Sequence, residues 1–237
     1  MNALTVRLQG KSFGPNAVLG AIDLDLPAGQ IATLLGPSGC GKSTLLSMIA
    51  GLDEDFSGSI QVAGGKVAMV FQAPRLLPWR TLAQNIALMP GAGGPDRARA
   101  LLDRVGLASA ADQFPQKVSL GMQRRAALAR ALAVCPDLIL MDEPLVSLDA
   151  ETAADMRTLI AQTLDEAGAT ALIATHDRRE ALHLADRIIE LGGSPTRVQN
   201  DRKSPIDRAQ RLDPQTVEAV HAQFFTKRTV GRDAPAA

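Results

Sequence analysis

Hydrophobic and polar positions change their period along the first 51 residues. Apolar residues recur at every second position within residues 4–13 and 22–26, and this alternation predicts two strands that each bury one face. A continuous apolar run at residues 31–35 predicts a buried strand that ends at a glycine. Residues 41–50 then carry leucines and isoleucine at helical spacing, and Gly51 marks the end of that helix. A helix therefore follows a strand across one glycine-rich segment.

The middle of the chain changes from strands to helices. Residues 59–62 and 66–71 are predicted to form a strand pair joined through the two glycines at 64 and 65. Prolines and the segment 91–94 then interrupt a helix-rich stretch, and a further helix is predicted at residues 121–134. We interpret residues from about 73 to 135 as an inserted helical lobe.

Strands and helices alternate in the second half of the chain. The predicted elements are a buried strand at 138–141, a helix at 151–167, a strand at 171–175, a helix at 178–185 and a strand at 187–191. This alternation predicts an α/β fold with a mostly parallel sheet. We expect one domain over residues 1–192 and an extension over 193–237. The extension is expected to be partly helical at 217–225 and disordered from about 226.

Composition narrows the class of protein. The chain is 46% hydrophobic and carries 25 basic and 25 acidic residues, so it should fold but has no net charge that would attract nucleic acid. Apolar stretches fall short of the about 18 residues that a spanning helix needs, and we expect a cytoplasmic chain. The two cysteines have no metal or disulfide spacing, and Cys135 is expected to be buried.

The glycine-rich segment matches a phosphate-binding pattern, G-x-x-x-x-G-K-[ST]. Its residues are Gly36, Pro37, Ser38, Gly39, Cys40, Gly41, Lys42 and Ser43, followed by Thr44. This spacing lets backbone N–H groups and a helix N-terminus point at a polyphosphate. Lys42 would neutralise β- and γ-phosphate charge, and the Ser43 hydroxyl would reach Mg²⁺. The loop alone leaves GTPase, kinase, ATPase and recombinase open.

An acidic pair follows the apolar strand at residues 138–141. Asp142 and Glu143 would reach the same sheet edge as the phosphate loop. There Asp142 can orient Mg²⁺ and Glu143 can polarise an attacking water. The alternative is an ordinary acidic turn at the end of a strand.

The segment Val118–Gln123 has the sequence V-S-L-G-M-Q. This segment, the phosphate loop and the acidic pair together resemble the nucleotide-binding domains of ABC transporters. The resemblance covers roughly residues 4–192, with six motifs in the order of the family. It implies a P-loop NTPase core, a mostly parallel sheet with an antiparallel β subdomain, and an inserted helical subdomain. It also implies that the chain is an ATPase with ATP and Mg²⁺ as its nucleotide and cofactor.

The resemblance assigns roles to single residues. Phe13 falls where the family places an aromatic that stacks on adenine, with a core phenylalanine as the alternative. Gln72 matches the glutamine that contacts Mg²⁺ and the attacking water. His176 matches the histidine that contacts the γ-phosphate. Asp149 lies in a loop that crosses between two subunits.

The signature segment contributes Ser119 and Gly121 but departs from the usual Leu-Ser-Gly-Gly-Gln. Leu120 replaces the first glycine and Met122 replaces the glutamine. The Ser119 hydroxyl and the N–H groups at this helix start can still face a γ-phosphate. If the backbone at Leu120 needs an angle that only glycine tolerates, the site is weakened; if the angle is ordinary, the side chain points away.

Partners follow from the same resemblance. Two copies would meet head to tail, with each ATP between Lys42 of one copy and Ser119 of the other. Binding and hydrolysis would drive an integral membrane permease, with a periplasmic solute-binding protein, from the cytoplasmic face of the inner membrane. Residues 70–81 and 84–86 look like importers of nitrate, sulfonate and taurine. Trp79, the single tryptophan, lies where the permease would dock; the alternative is a lobe-core tryptophan.

Two other functions compete. An ABC exporter or lipoprotein-release subunit shares every catalytic motif, and only residues 76–80 argue against it. A non-transport P-loop NTPase is the alternative of another class. Residues 165–168 fit the D-x-x-G pattern of GTPases, but the sequence has no Asn-Lys-x-Asp guanine-binding motif. The sequence also shows neither long heptad arms nor a basic stripe for DNA.

Overall fold

The computed structural model describes residues 1–225, and the predicted disorder from residue 226 lies outside this range. Its strands are β1 Asn2–Phe13, β2 Asn16–Leu19, β3 Ile22–Pro27, β4 Ile31–Leu35, β5 Ser57–Val62, β6 Val67–Val70, β7 Leu138–Asp142, β8 Ala171–Thr175, β9 Arg187–Gly192 and β10 Arg197–Lys203. Its helices are α1 Lys42–Ile49, α2 Leu82–Ala87, α3 Gly94–Arg104, α4 Leu120–Ala133, α5 Ala150–Ala167, α6 Arg178–Leu184 and α7 Pro214–Phe224.

The smaller sheet is antiparallel and has β1 at its centre. One edge of β1 pairs with β3 and the other with β5, and β2 pairs near the end of β1. The alternating residues Leu4, Val6 and Leu8 are buried, as the sequence predicted, because they share the face of β1 that packs on the core. This sheet is the predicted antiparallel β subdomain.

The larger sheet has the strand order β10-β9-β4-β8-β7-β6. Five of these strands are parallel, and β10 is antiparallel to β9 at the edge. Every residue of β4, β7 and β8 is buried, because apolar clusters cover both faces of these strands. The predicted α/β class is confirmed, and the carboxyl ends of the parallel strands meet at one edge.

Helices α2, α3 and α4 lie between β6 and β7 and form the inserted helical part. Thr81 and Gln84 make a capping box at the start of α2, where Thr81 Oγ1 accepts from the Gln84 N–H at 3.2 Å. Apart from Ala127, the buried apolar side chains of the three helices belong to one cluster that reaches the large sheet. The lobe is therefore packed on the core rather than separate from it.

The predicted pairing of the strands around residues 64 and 65 was wrong. β5 pairs with β1 in the antiparallel sheet, whereas β6 pairs with β7 in the parallel sheet. Gly64 and Gly65 both have φ of 78°, a turn that carries the chain from one sheet to the other. Apolar alternation identifies strands but not their partners, which lie far away in sequence.

Two strands went unpredicted because they carry weak patterns. β2 has four residues, and β10 is polar, since it is an edge strand whose side chains alternate between exposed and half-buried. The predicted extension from residue 193 therefore holds a strand of the large sheet as well as α7. A domain boundary at residue 192 stays a prediction.

The segment after β10 is tied to the core by ion pairs. Arg211 is fully buried and donates to Asp165 at 2.7 Å, and Arg208 pairs with Asp186. Val217 of α7 is buried in a small cluster with α6 residues. Within residues 1–225, no helix combines the length and apolarity that crossing a bilayer requires.

The predicted burial of Cys135 was wrong. Cys135 is exposed and has φ of 47°, because it ends the turn after α4. Arg97 Nη2 lies 2.6 Å from its Sγ.

Candidate functional site

The phosphate loop joins the buried strand β4 to α1. The Gly36 N–H donates to the Thr175 carbonyl at 3.3 Å, and a Cβ at Gly36 would lie 2.8 Å from the Leu191 carbonyl oxygen. Gly41 has φ of 97°, a conformation that favours glycine. These contacts explain why the loop needs glycine at both positions.

Lys42 is the first residue of α1, and its side chain turns back over the loop. Its Nζ donates to the carbonyls of Gly36 at 2.9 Å and Pro37 at 3.0 Å, and the residue is only 4% exposed. Ser38 and Gly39 at the tip of the loop are exposed, whereas Cys40 and Thr44 are half-buried. The ammonium group is therefore held inside a loop whose tip faces solvent.

Ser43 and Asp142 come together across the sheet edge. Ser43 Oγ donates to Asp142 Oδ1 at 2.9 Å. Burial at the end of β7 raises the pKa of Asp142, although the Ser43 hydrogen bond acts in the opposite direction. A hydroxyl and a carboxylate at this spacing are oxygen ligands of the kind that Mg²⁺ prefers, so the residues fit that ion.

Glu143 lies between Lys42 and His176. Glu143 Oε1 is 3.4 Å from Lys42 Nζ and 3.3 Å from His176 Nδ1. Its backbone has φ of 45° and its N–H donates to the Ala174 carbonyl at 2.9 Å. A positive φ is unfavourable for a glutamate, and strained residues of this kind concentrate at functional sites. The structure thus brings Lys42, Glu143 and His176 into contact.

Gln72 and Phe13 lie outside this contact network. Gln72 is exposed and lines a cavity together with Asp142, and its contact with Mg²⁺ and water stays a prediction. Phe13 is 52% exposed, and Lys11 Nζ is 4.6 Å from its ring centroid. The interpretation of Phe13 as a core residue was wrong, and stacking on adenine stays a prediction.

Ser119 and Asp149 both cap helices. Ser119 Oγ accepts from the Met122 N–H at 3.2 Å at the start of α4. Asp149 Oδ1 accepts from the Thr152 N–H at 2.9 Å at the start of α5, and hydrogen bonds with Thr152 lower the pKa of Asp149. A Cβ at Gly121 would lie 2.9 Å from Thr152 Cγ2, so α4 and α5 approach closely there. In residues 1–225, neither Ser119 nor Asp149 hydrogen-bonds the phosphate loop.

Leu120 has an ordinary backbone. It is the first residue of α4, and the positive φ angles of non-glycine residues in the described chain fall at Arg75, Cys135, Glu143 and Ser147. Leu120 is 41% exposed and lies at the helix start without a strained backbone. The backbone angle at this position is therefore one that residues other than glycine adopt.

Trp79 is 68% exposed. The interpretation of a tryptophan buried in the lobe core was therefore wrong. Sequence reasoning also missed two arginines beside Asp142, Arg75 and Arg124, which line the same cavity as Gln72. The sequence pattern that could have identified Arg124 is its four-residue spacing from Leu120, which places both residues on one face of α4.

Comparisons with known proteins identify the family of the chain. A model of the ABC transporter family matches residues 19–146. The aliphatic sulfonates import ATP-binding protein SsuB 1 of Pseudomonas savastanoi pv. phaseolicola is 42% identical over 229 residues, which cover 92% of this chain and 96% of that protein. SsuB 2 of Burkholderia cenocepacia is 42% identical, with 89% of this chain and 82% of that protein covered.

A solved structure shares the fold. It is a dimeric, post-hydrolysis state of the ATP-binding cassette MJ0796 bound to ADP and Pi. It is 28% identical, has a TM-score of 0.74, and covers 86% of this chain and 100% of its own.

Proposed function

The chain belongs to the ABC transporter family as an ATP-binding and ATP-hydrolysing subunit, and we propose that it powers the import of a small sulfonate or similar anion. The observation that carries this proposal is the 42% identity, over almost the whole length, to a protein named for the import of aliphatic sulfonates. The nitrate, sulfonate and taurine group predicted from residues 76–80 includes this class of solute.

Each side chain of the contact network has a proposed task in hydrolysis. Lys42 binds the β- and γ-phosphates of ATP with an ammonium group that the loop carbonyls already orient. Glu143 accepts the proton of the attacking water, and His176, in contact with Glu143, binds the γ-phosphate. Gln72 positions the same water, and Phe13 stacks on adenine.

Mg²⁺ is the proposed cofactor, held by Ser43, Asp142 and Gln72. When bound, it neutralises developing negative charge on the phosphates. The Ser43–Asp142 hydrogen bond supports this assignment, because it holds the two proposed oxygen ligands side by side.

The proposed assembly is a head-to-tail dimer on a permease. Ser119 and Asp149 cap their own helices rather than contact the phosphate loop of their own copy within residues 1–225, and in the dimer they and Gly121 would complete the site of the second copy. ATP then favours the closed dimer over the open one, and this difference in affinity drives the permease. A periplasmic solute-binding protein delivers the anion, and the subunit lies peripherally at the cytoplasmic face of the inner membrane.

Uptake by cells tests the proposed solute and the direction of transport. Deleting the chain should abolish uptake of labelled ethanesulfonate, and expression of the wild type should restore it. The Glu143→Gln variant should not restore uptake, because it cannot turn over ATP. Accumulation of the label in the deletion strain above the wild-type level would instead indicate export. Unchanged uptake would contradict the sulfonate assignment.

Trp79 is the proposed permease contact. An exposed tryptophan next to the segment that carries Gln72 is a large apolar surface of the kind that interfaces bury. Trp79→Ala should leave the ATPase rate of the isolated subunit intact and lower that of the assembled transporter. Leu52→Ala, which also removes an exposed apolar side chain, serves as the control. Equal loss in the isolated subunit and in the transporter would contradict docking at Trp79.

A further inference from the structure

A cavity of about 440 Å³ lies beside the catalytic carboxylates, between the segment after β6 and the start of α4. We call it the arginine cavity. Its polar and bulky lining consists of Gln72, Arg75, Leu120, Arg124, Asp142 and Ser147. Asp142 is shared with the site of hydrolysis, so the cavity adjoins the position where phosphate is released.

Arg124 is a buried cation with two enclosed donors that lack an acceptor within residues 1–225. It is 5% exposed, and its Nε and Nη1 have no hydrogen-bond partner in the part of the chain that the structure describes. Other arginines of α4 are partnered: Arg130 donates to the Pro74 and Arg75 carbonyls, and Arg125 lies 3.7 Å from Asp155. Leaving buried guanidinium donors without acceptors is unfavourable, which indicates that an acceptor binds there.

The charge of the cavity selects an anion. Arg75 is stacked on the Phe71 ring, with its Cζ 3.9 Å from the ring centroid, and its charge acts on Asp142. The cavity lining therefore carries two guanidinium groups and one carboxylate. A guanidinium has donors in a planar fork that match the oxygens of a phosphate. The cavity volume exceeds the space that one tetrahedral oxyanion needs.

We propose that the arginine cavity binds inorganic phosphate after hydrolysis in the same subunit, with Arg124 as the main ligand. The γ-phosphate, once cleaved from ADP by water, passes Asp142 and is held by the Arg124 guanidinium that lines the cavity. No further bond forms or breaks in this step. Phosphate in the cavity would lie between Gln72 and α4, the helix that begins in the signature segment. Until the phosphate leaves, the subunit would return more slowly to the state that binds the next ATP. This inference builds on the ATPase activity and is independent of the transported solute.

Product inhibition is the first test. Inorganic phosphate should inhibit the ATPase activity of the full chain, and Arg124→Gln should raise the ratio of the phosphate inhibition constant to the KM for ATP by about 10-fold or more. Arg124→Lys, which keeps the charge but not the fork, should raise it less. Arg125→Gln is the matched control and should leave the ratio unchanged. An unchanged ratio in Arg124→Gln would overturn the proposal.

Direct binding separates the cavity from the phosphate loop. In a Lys42→Ala background, equilibrium dialysis with labelled inorganic phosphate should still detect binding, and the further change Arg124→Gln should remove it. Loss of all phosphate binding in Lys42→Ala alone would place the anion in the loop and refute the cavity site. If Arg124→Gln instead leaves phosphate binding intact and abolishes assembly with the permease, Arg124 is a docking residue and the proposal fails. Thermal unfolding curves verify that each variant is folded.

Discussion

The phosphate-loop half and the signature half of the site are built in different ways. The phosphate-loop half lies at the carboxyl ends of β4, β7 and β8. There Glu143 contacts both Lys42 and His176, and Ser43 hydrogen-bonds Asp142. The signature half offers only helix starts, whose side chains cap their own backbones. Side chains that contact one another at the ends of buried parallel strands are already oriented without a ligand. A helix start, by contrast, becomes a binding group only when another molecule lies against it.

This difference agrees with the proposal that one copy carries only part of each ATP site. The first half can bind phosphate with groups that are already oriented. The second half exposes Leu120 and Asp149, and in the proposed head-to-tail dimer these residues would face the phosphate bound by the second copy. Removing a side chain from the first half should therefore affect a single copy, and removing one from the second should affect only the dimer.

Glu143→Gln should produce the largest effect. It removes the base while keeping shape, so ATP turnover should fall by about 100-fold or more. ATP binding should persist, and size-exclusion chromatography with ATP should show a trapped dimer. Glu166→Gln, which changes an exposed glutamate paired with Arg104, is the control. Retention of most of the turnover in Glu143→Gln would exclude Glu143 as the base.

Lys42→Ala should weaken ATP binding itself. A buried charge-assisted contact is lost, so the Kd for ATP, measured by calorimetry on a single copy, should rise by about 10- to 100-fold. Lys66→Ala, outside the site, should leave the Kd unchanged. A Kd within about 2-fold of the wild type would mean that Lys42 does not hold the phosphates.

Mixing variants tests whether the two halves come from different copies. Lys42→Ala and Ser119→Arg should each be inactive alone, the second because a bulky side chain blocks the partner's site. In an equal mixture, half of the dimers are mixed and each has one intact site, so roughly a quarter of the wild-type sites should return if the interface is reciprocal. No recovery of ATPase activity in the mixture would contradict a head-to-tail arrangement.

Leu120→Gly should have a small effect, because this position has an ordinary φ. Glycine in the first turn of α4 should lower the free energy of unfolding by at most about 1 kcal/mol, with the ATPase rate within about 2-fold of the wild type. Leu120→Ala is the control for loss of the side chain alone. A large rise in ATPase activity in Leu120→Gly, but not in Leu120→Ala, would show that the backbone there needs glycine.

Replacing an aspartate should change the Tm in opposite directions in the two halves of the site. Burial raises the pKa of Asp142, so above that pKa its ionisation opposes folding, and Asp142→Asn should raise the Tm at pH 7 while abolishing Mg²⁺-dependent turnover. Hydrogen bonds lower the pKa of Asp149, so its charge favours folding above the ordinary aspartate pKa, and Asp149→Ala should lower the Tm. The stability from Asp149 should disappear on acidification through its lowered pKa. A lower Tm in Asp142→Asn would contradict this reading of burial.

The sequence by itself determined the phosphate loop, the acidic pair and the parallel strands. These features are local: the loop occupies eight consecutive residues, and buried strands reveal themselves as short apolar runs. The strand at Ala171–Thr175 was predicted with its observed bounds for this reason. Residues with a recognisable neighbourhood, such as Glu143 after an apolar strand, could be assigned a role before any contact was known.

Only the tertiary structure decided which distant segments meet. It placed β5 beside β1 and β6 beside β7, although the two strands are neighbours in sequence. It exposed Phe13 and Trp79, for which the sequence had left a buried core position as the alternative. Within residues 1–225 it also buried Arg124 in the lining of the cavity that contains Asp142, with Nε and Nη1 lacking hydrogen-bond partners. Burial and pairing depend on contacts between residues that are far apart along the chain, so a local pattern cannot specify them.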